Sequence, residues 1–115
     1  MAESPIIDTV VTVDVGGTAF KTLLSTLRKS EPFSKFLRGE KIRNMAKLEN
    51  GTIFIDRDPK HFRLVLNYLR NLDHFQRERP RISRDHAELG EIEDEARFYG
   101  IKKEELIAYS KLFKY

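Results

Sequence analysis

Cysteine is absent from this 115-residue chain. No disulfide framework and no thiolate metal site can therefore form, which suits the cytosol. Long hydrophobic runs are missing too, and no window approaches the ~20 apolar residues of a membrane span. Met1-Ala2-Glu3-Ser4-Pro5 has neither the basic start nor the apolar stretch of a secretory signal. The expectation is a soluble, cytoplasmic protein. Charge of one sign is also lacking: 21 basic and 18 acidic residues leave a formal charge of +3. Both signs are interspersed, and a nucleic-acid binder usually carries a stronger, more concentrated positive field. There are no internal repeats and no low-complexity tract.

What is present fits one folded domain. Hydrophobic residues make up 40% of the chain, with eight Phe and four Tyr, and this length supports one core rather than two. Val11, Val13 and Val15 alternate with Thr12 and Asp14, the period-2 pattern of a half-buried strand. Gly16-Gly17 allows the positive φ angles of a tight turn, and Ala19-Phe20-Lys21-Thr22 supplies the returning strand.

Leu23, Leu24 and Leu27 then read as a short amphipathic helix. Pro32 marks a second helix start, with Phe33, Phe36 and Leu37 on its apolar face and Gly39 as its stop. Residues 39–48 have little periodicity and read as a basic loop. Asn50-Gly51 signals a turn before a short apolar strand, Thr52 to Ile55, expected to be buried on both faces.

Asp58 and Pro59 suit the N-cap and first position of the next helix. Phe62, Val65, Leu66, Leu69 and Leu72 follow at i, i+3, i+4, i+7 and i+10, the cleanest amphipathic pattern in the chain. Asp73 to Arg84 is polar and reads as an exposed connection. Helical spacing resumes near Asp85 with Leu89, Ile92, Ala96 and Tyr99, and Gly100 ends it, Gly90 marking a kink or boundary. A last helix from Lys103 to about Phe113 turns Leu106, Ile107 and Leu112 inward. Short strands interleaved with helices define an α/β or α+β domain.

Nothing in the chain has the pattern of an active site. His61, His74 and His86 lie in three separate segments without metal-ligand spacing and read as surface or boundary residues. Glu91, Glu93, Asp94 and Glu95 read as the solvated face of a helix rather than an acid–base pair, which needs a pocket. Gly16-Gly17 lacks the spacing of a phosphate-binding loop, and the serines lack a nucleophile-elbow context. Arg38, Lys41, Arg43 and Lys47 form the best nucleic-acid candidate, but no aromatic residue interleaves them for base stacking.

Two surfaces carry more information. Arg63, Asn67 and Arg70, at i, i+4 and i+7, share one side of a helix and can pair with carboxylates of another chain. Phe98 lies about 140° from the centre of the Leu89–Tyr99 stripe, so another element or another protein must cover it.

Four motifs, in order, are Val13-Asp14-Val15-Gly16-Gly17-Thr18, Ile55-Asp56-Arg57-Asp58-Pro59, Val65-Leu66-Asn67-Tyr68-Leu69-Arg70 and Glu95-Ala96-Arg97-Phe98-Tyr99-Gly100. Together they resemble the BTB/POZ domain of the potassium-channel tetramerisation type, with the nearest likeness to the soluble KCTD proteins. The resemblance covers residues 8–110, leaving 1–7 as an N-terminal tail and 111–115 as a C-terminal end. It implies a BTB/POZ α/β fold, with a small three-stranded-type sheet packed with short helices, and homo-oligomeric rings of four or five subunits. For many members it also implies recruitment of cullin-3 to a ubiquitin ligase, while others set the stoichiometry of a channel, receptor or regulator. Catalysis and cofactors are not implied.

Carried over by residue, Phe98 matches an aromatic cullin contact, with Arg63 and Asn67 as further partner-binding candidates. Asp56, Arg57 and Asp58 match the charged strand–helix turn and, with Arg70, are the self-association candidates. The departures are Asp14 in place of the more usual asparagine, a bulky Arg63, and a longer connection from Leu72 to Asp85. The zinc ligands of some channel domains are missing, so the implied assembly is metal-free.

Overall fold

The computed structural model describes residues 7–72 and 89–112. The segment 73–88, which contains the expected exposed connection, the start of the following helix, His74 and His86, lies outside the described residues, as do residues 1–6 and 113–115.

The valine repeat forms β1 (Val10–Val15), paired antiparallel with β2 (Thr18–Leu23), with Val15 opposite Thr18 across the turn. Gly16 and Gly17 both take positive φ, 56° and 103°, as a two-residue hairpin loop with matching twist requires. The Asp14 Oδ1 accepts from Gly17 N–H at 2.7 Å, so the carboxylate closes the turn as an asparagine carbonyl can. A Cβ on Gly16 would overlap the carbonyl oxygen of Arg57. The same close approach brings Gly16 N–H to the Ile55 carbonyl, 2.9 Å away. The hairpin turn and the Asp56–Asp58 segment are thus one packed corner.

Two short helices follow, α1 (Leu24–Leu27) and α2 (Glu31–Leu37), with Pro32 in the first turn of α2. The expected basic loop contains a strand, β3 (Met45–Lys47), antiparallel to β4 (Ile53–Ile55). β4 runs parallel to β1, and the sheet has four strands in the order β2-β1-β4-β3. Four strands rather than three follow from this short edge strand, whose only inward-facing apolar residue is Met45. Ile53 and Ile55 are buried while Phe54 between them is half-buried, so β4 has one covered face and not two.

Asp58 caps the next element, its Oδ1 accepting from Lys60 N–H at 2.9 Å. That element opens as a 3₁₀ turn (Pro59–His61) and continues as α3 (Phe62–Arg70). Leu72 lies beyond the end of α3 but still packs on the core. After the undescribed segment come α4 (Leu89–Phe98) and α5 (Lys103–Leu112). Gly90 sits in the first described turn of α4. The chain reverses at Gly100, whose φ is 70° and whose added Cβ would come within 2.7 Å of the Pro32 ring. Leu112 is 39% exposed, against expectation. Tyr109 and Ala108 fill the inward face of α5 in its place, and Tyr109 meets Tyr68 edge-on at 5.7 Å.

The core lies between the inner face of the sheet (Val13, Val15, Ile53, Ile55) and the helices, with Phe33, Phe62 and Tyr99 at its centre. Tyr99 stacks on Phe33 at 5.7 Å and tilts against Phe62 at 5.4 Å. Ring pairs at these separations add to the burial of large apolar surface. The outer face of the hairpin carries Val10, Thr12 and Asp14 from β1 and Ala19, Lys21 and Leu23 from β2.

Candidate functional site: two interaction surfaces

The charged turn after β4 does two different jobs. Asp56 is held through its backbone, donating N–H to the Asn44 carbonyl and accepting from Asn44 Nδ2, each at close to 2.9 Å. Asn44 adopts a positive φ of 68° to make this clamp, a region asparagine tolerates better than most residues. The carboxylates of Asp56 and Asp58 face solvent. Arg57 turns the other way. Its guanidinium pairs with the Glu95 carboxylate and lies 4.4 Å from the centroid of the Phe98 ring.

Burial opposes the Arg57 charge, but the hydrogen bond and field of Glu95 outweigh it, and the guanidinium pKa lies above its usual value. Glu95 is only 8% exposed, which corrects the expectation that the whole acidic run of α4 is solvated. It lies at the rim of the apolar stripe, where a carboxylate is buried only with a partner. His61 is a second correction: at 3% exposure it is a core residue, its Nε2 2.8 Å from the exposed Glu91 carboxylate. Lys60 joins the same carboxylate at 3.0 Å. These two neighbours, His61 first, hold the Glu91 pKa below its ordinary value.

Phe98 is half-buried. Arg57 lies on its face, and Tyr99 meets it edge-on at 4.9 Å. Its off-stripe position is therefore covered in part from within the chain, by an arginine no helical period reveals. The Tyr99 hydroxyl lies buried with no hydrogen-bond partner. Burial drives its pKa far up, and the nearby Glu95 charge adds to that shift.

The second surface is the outer side of α3. Arg70 donates from Nη1 to Asn67 Oδ1 at 3.1 Å and from Nη2 to the Lys21 carbonyl at 2.9 Å. It thereby caps an edge-strand acceptor of β2, which blunts strand addition there. The Arg63 guanidinium lies 5.6 Å from the Phe20 ring. Along α3, Arg70 bonds Asn67 and β2, and Arg63 lies against Phe20 of β2. Among the described residues, no hydrogen bond, ion pair or ring contact joins Arg63, Asn67 or Arg70 to Phe98.

In the basic segment, Arg38 is engaged by Ser34 and Glu40, and Lys47 belongs to β3. Among the described residues no cluster of three or more metal-ligating side chains occurs, and no helix is long and apolar enough to cross a membrane.

A hairpin feeding a mixed sheet, a capped helix after an Asp-Arg-Asp turn and two closing helices define an interaction-domain fold of the BTB/POZ kind. The sequence matches the BTB/POZ domain family across residues 11–109, and the chain belongs to that family. It is 39% identical over 93 residues to the human BTB/POZ domain-containing protein KCTD17, covering 79% of this chain and 27% of that protein. Rat KCTD5 is 41% identical over 93 residues, 79% of this chain and 37% of the relative. Human KCTD14 is 38% identical over 101 residues, 85% and 34% respectively. The chain thus spans about a quarter to somewhat over a third of these relatives' lengths.

Proposed function

We propose that this chain is a non-enzymatic homo-oligomerising module, assembling as a ring of four or five, that acts in the cytoplasm as an adaptor for a cullin-3 ubiquitin ligase. The observation that carries the reading is the BTB/POZ match across residues 11–109, a domain class that oligomerises. Asp56, Asp58 and Arg70 support the assembly half, because each leaves a charged group at the surface. Phe98 supports the partner half: it is a large, half-buried ring with the Arg57 guanidinium on its face. Arg63 and Asn67 are the further cullin candidates. Several copies of the site in one ring raise effective concentration without new contacts.

Native mass of the chain alone, and with a cullin-3 N-terminal fragment, tests both halves. The expected result is a four- or five-subunit mass that shifts with the fragment. Phe98→Asp is expected to abolish the shift and leave the oligomer intact. A monomer at tens of micromolar (roughly, well above ordinary specific-contact constants) overturns the assembly half. An oligomer blind to the fragment instead favours a domain that sets subunit stoichiometry for a channel, receptor or regulator.

A further inference from the structure

The residue that precedes α1, Leu23, has no side-chain acceptor and makes no capping bond. The acceptor comes instead from Asp8, 17 positions before Ser25 in the chain. Asp8 Oδ1 accepts from Thr9 N–H at 2.9 Å and from Ser25 N–H at 3.3 Å, and Oδ2 accepts from the Ser25 hydroxyl. Beside them Leu24 N–H donates to the Thr9 carbonyl at 2.8 Å. These bonds fasten the chain entering β1 to the first turn of α1, next to the Val10–Leu23 pair at the open end of the hairpin.

Ser25 is the one exposed serine among the described residues. Ser30 is buried with its hydroxyl on the Tyr99 carbonyl. Ser34 and Ser110 are half-buried, the first bonded by Arg38 and the second donating to the Ile107 carbonyl. Exposed cations bracket Ser25 in sequence: Lys21 four positions before it, Arg28 three after and Lys29 four after. Lys29 donates to the Leu69 carbonyl at 3.1 Å. Arg28 makes no ion pair among the described residues, and its charge favours the Asp8 carboxylate. A protein kinase with an acidic substrate cleft reads such cations by charge complementarity. α1 is only four residues long, and so short a helix opens locally at little cost.

We infer that Ser25 is a phosphorylation site, and that its phosphate displaces Asp8 and unfastens the entry to β1. In the transfer, Ser25 Oγ attacks the γ-phosphorus of a nucleoside triphosphate held by the kinase. The Oγ–P bond forms and the bond from that phosphorus to the bridging oxygen breaks. The nucleoside diphosphate leaves, and the hydroxyl proton passes to the kinase's catalytic base. Asp8 Oδ2 then loses its donor, and a group of charge about −1.5 to −2 stands against the carboxylate. Arg28, three residues along α1, is spaced to take the phosphate. The phosphate is covalently fixed to α1, so Asp8 is the partner that leaves. Nothing in this switch requires self-assembly or a cullin.

The site is tested on the folded chain with ATP and a kinase that prefers basic substrates. Phosphate is expected at Ser25 by tandem mass spectrometry, and Ser25→Ala is expected to lack it. No phosphate at Ser25 overturns the assignment.

The consequence is read by amide hydrogen exchange on the chain carrying phosphoserine at position 25. Exchange at Thr9, Leu24 and Ser25 is expected to rise about tenfold or more, while Val13 and Val15 keep their protection. Asp8→Asn keeps a capping oxygen and removes the charge. In that background the phosphate is expected to change exchange by less than about twofold. Equal protection with and without phosphate overturns the switch, as does an equal rise in the Asp8→Asn background. If the phosphate unfolds the whole chain, Val13 and Val15 lose protection too. Asp8→Asn then decides: restored protection supports the Asp8 clash, and continued unfolding overturns it.

Discussion

At the scale of single residues, the Arg57–Glu95–Phe98–Tyr99 group joins the strand–helix turn to α4. The Arg57–Glu95 pair is mostly buried, so removing one partner strands the other charge. Arg57→Ala is expected to cost about 2–4 kcal/mol, near the range for broken buried pairs. Tyr99 is the opposite case. Its ring fills the centre of the core while its hydroxyl has no partner, so desolvation of that oxygen is uncompensated. Tyr99→Phe is expected to leave stability unchanged or raise it by up to about 1 kcal/mol, measured by urea unfolding with the midpoint compared at equal slope. A loss above about 1 kcal/mol would mean that the hydroxyl has a partner, such as a water bridging it to the ion pair.

At the scale of elements, the hairpin and α3 were legible because their apolar periods run over enough residues to be unambiguous, whereas Leu23, expected in the first helix, ends β2. β3 was not, since a three-residue edge strand whose flanks are basic carries no period and takes its place only by pairing with β4. The buried members of the charged segments were hidden for a related reason. Glu95 sits in an acidic run whose other members face water, and only Arg57, 38 residues earlier, explains its burial. His61 gave a weak signal, lying four residues before Val65 on the apolar spacing of α3. The candidate strip of Arg63, Asn67 and Arg70 was readable from helical spacing, whereas its contact with β2 was not.

The docking of α4 on the 3₁₀ turn carries a pH dependence. Glu91 is held below its ordinary pKa by His61 and Lys60, so its contribution is complete above the unfolded value of about 4.3 and disappears as pH falls through the lower folded value. Asp8, lowered chiefly by the Ser25 hydroxyl, acts in the same direction at the start of β1. Stability is therefore expected to fall with acidification below about pH 5. Glu91→Gln should flatten that slope in thermal unfolding scans between pH 3 and 6, and an unchanged slope would assign the acid lability elsewhere.

For the whole molecule, exposed cations lie along α3 and β2 (Arg63, Arg70, Lys21) and exposed carboxylates at the β1–β4 corner (Asp56, Asp58), with further charges of both signs elsewhere, Arg43 beside that corner among them. Within one subunit such charges contribute little, because exposed pairs are worth about 0–1 kcal/mol and many here are not paired at all. Across a subunit boundary their surroundings lose water and the same groups interact more strongly. In the proposed assembly, subunit contact adds to the stability of each subunit through mass action, provided only the folded chain binds its neighbour. The unfolding midpoint is therefore expected to rise by several degrees over a hundredfold increase in protein concentration. Salt at about 0.5 M should reduce that dependence, because the Debye length shrinks below the spacing of the charged groups. Differential scanning calorimetry over a concentration series at low and high salt measures both effects. A midpoint independent of concentration at low salt would place the charged strip and corner on a chain that folds and stands alone.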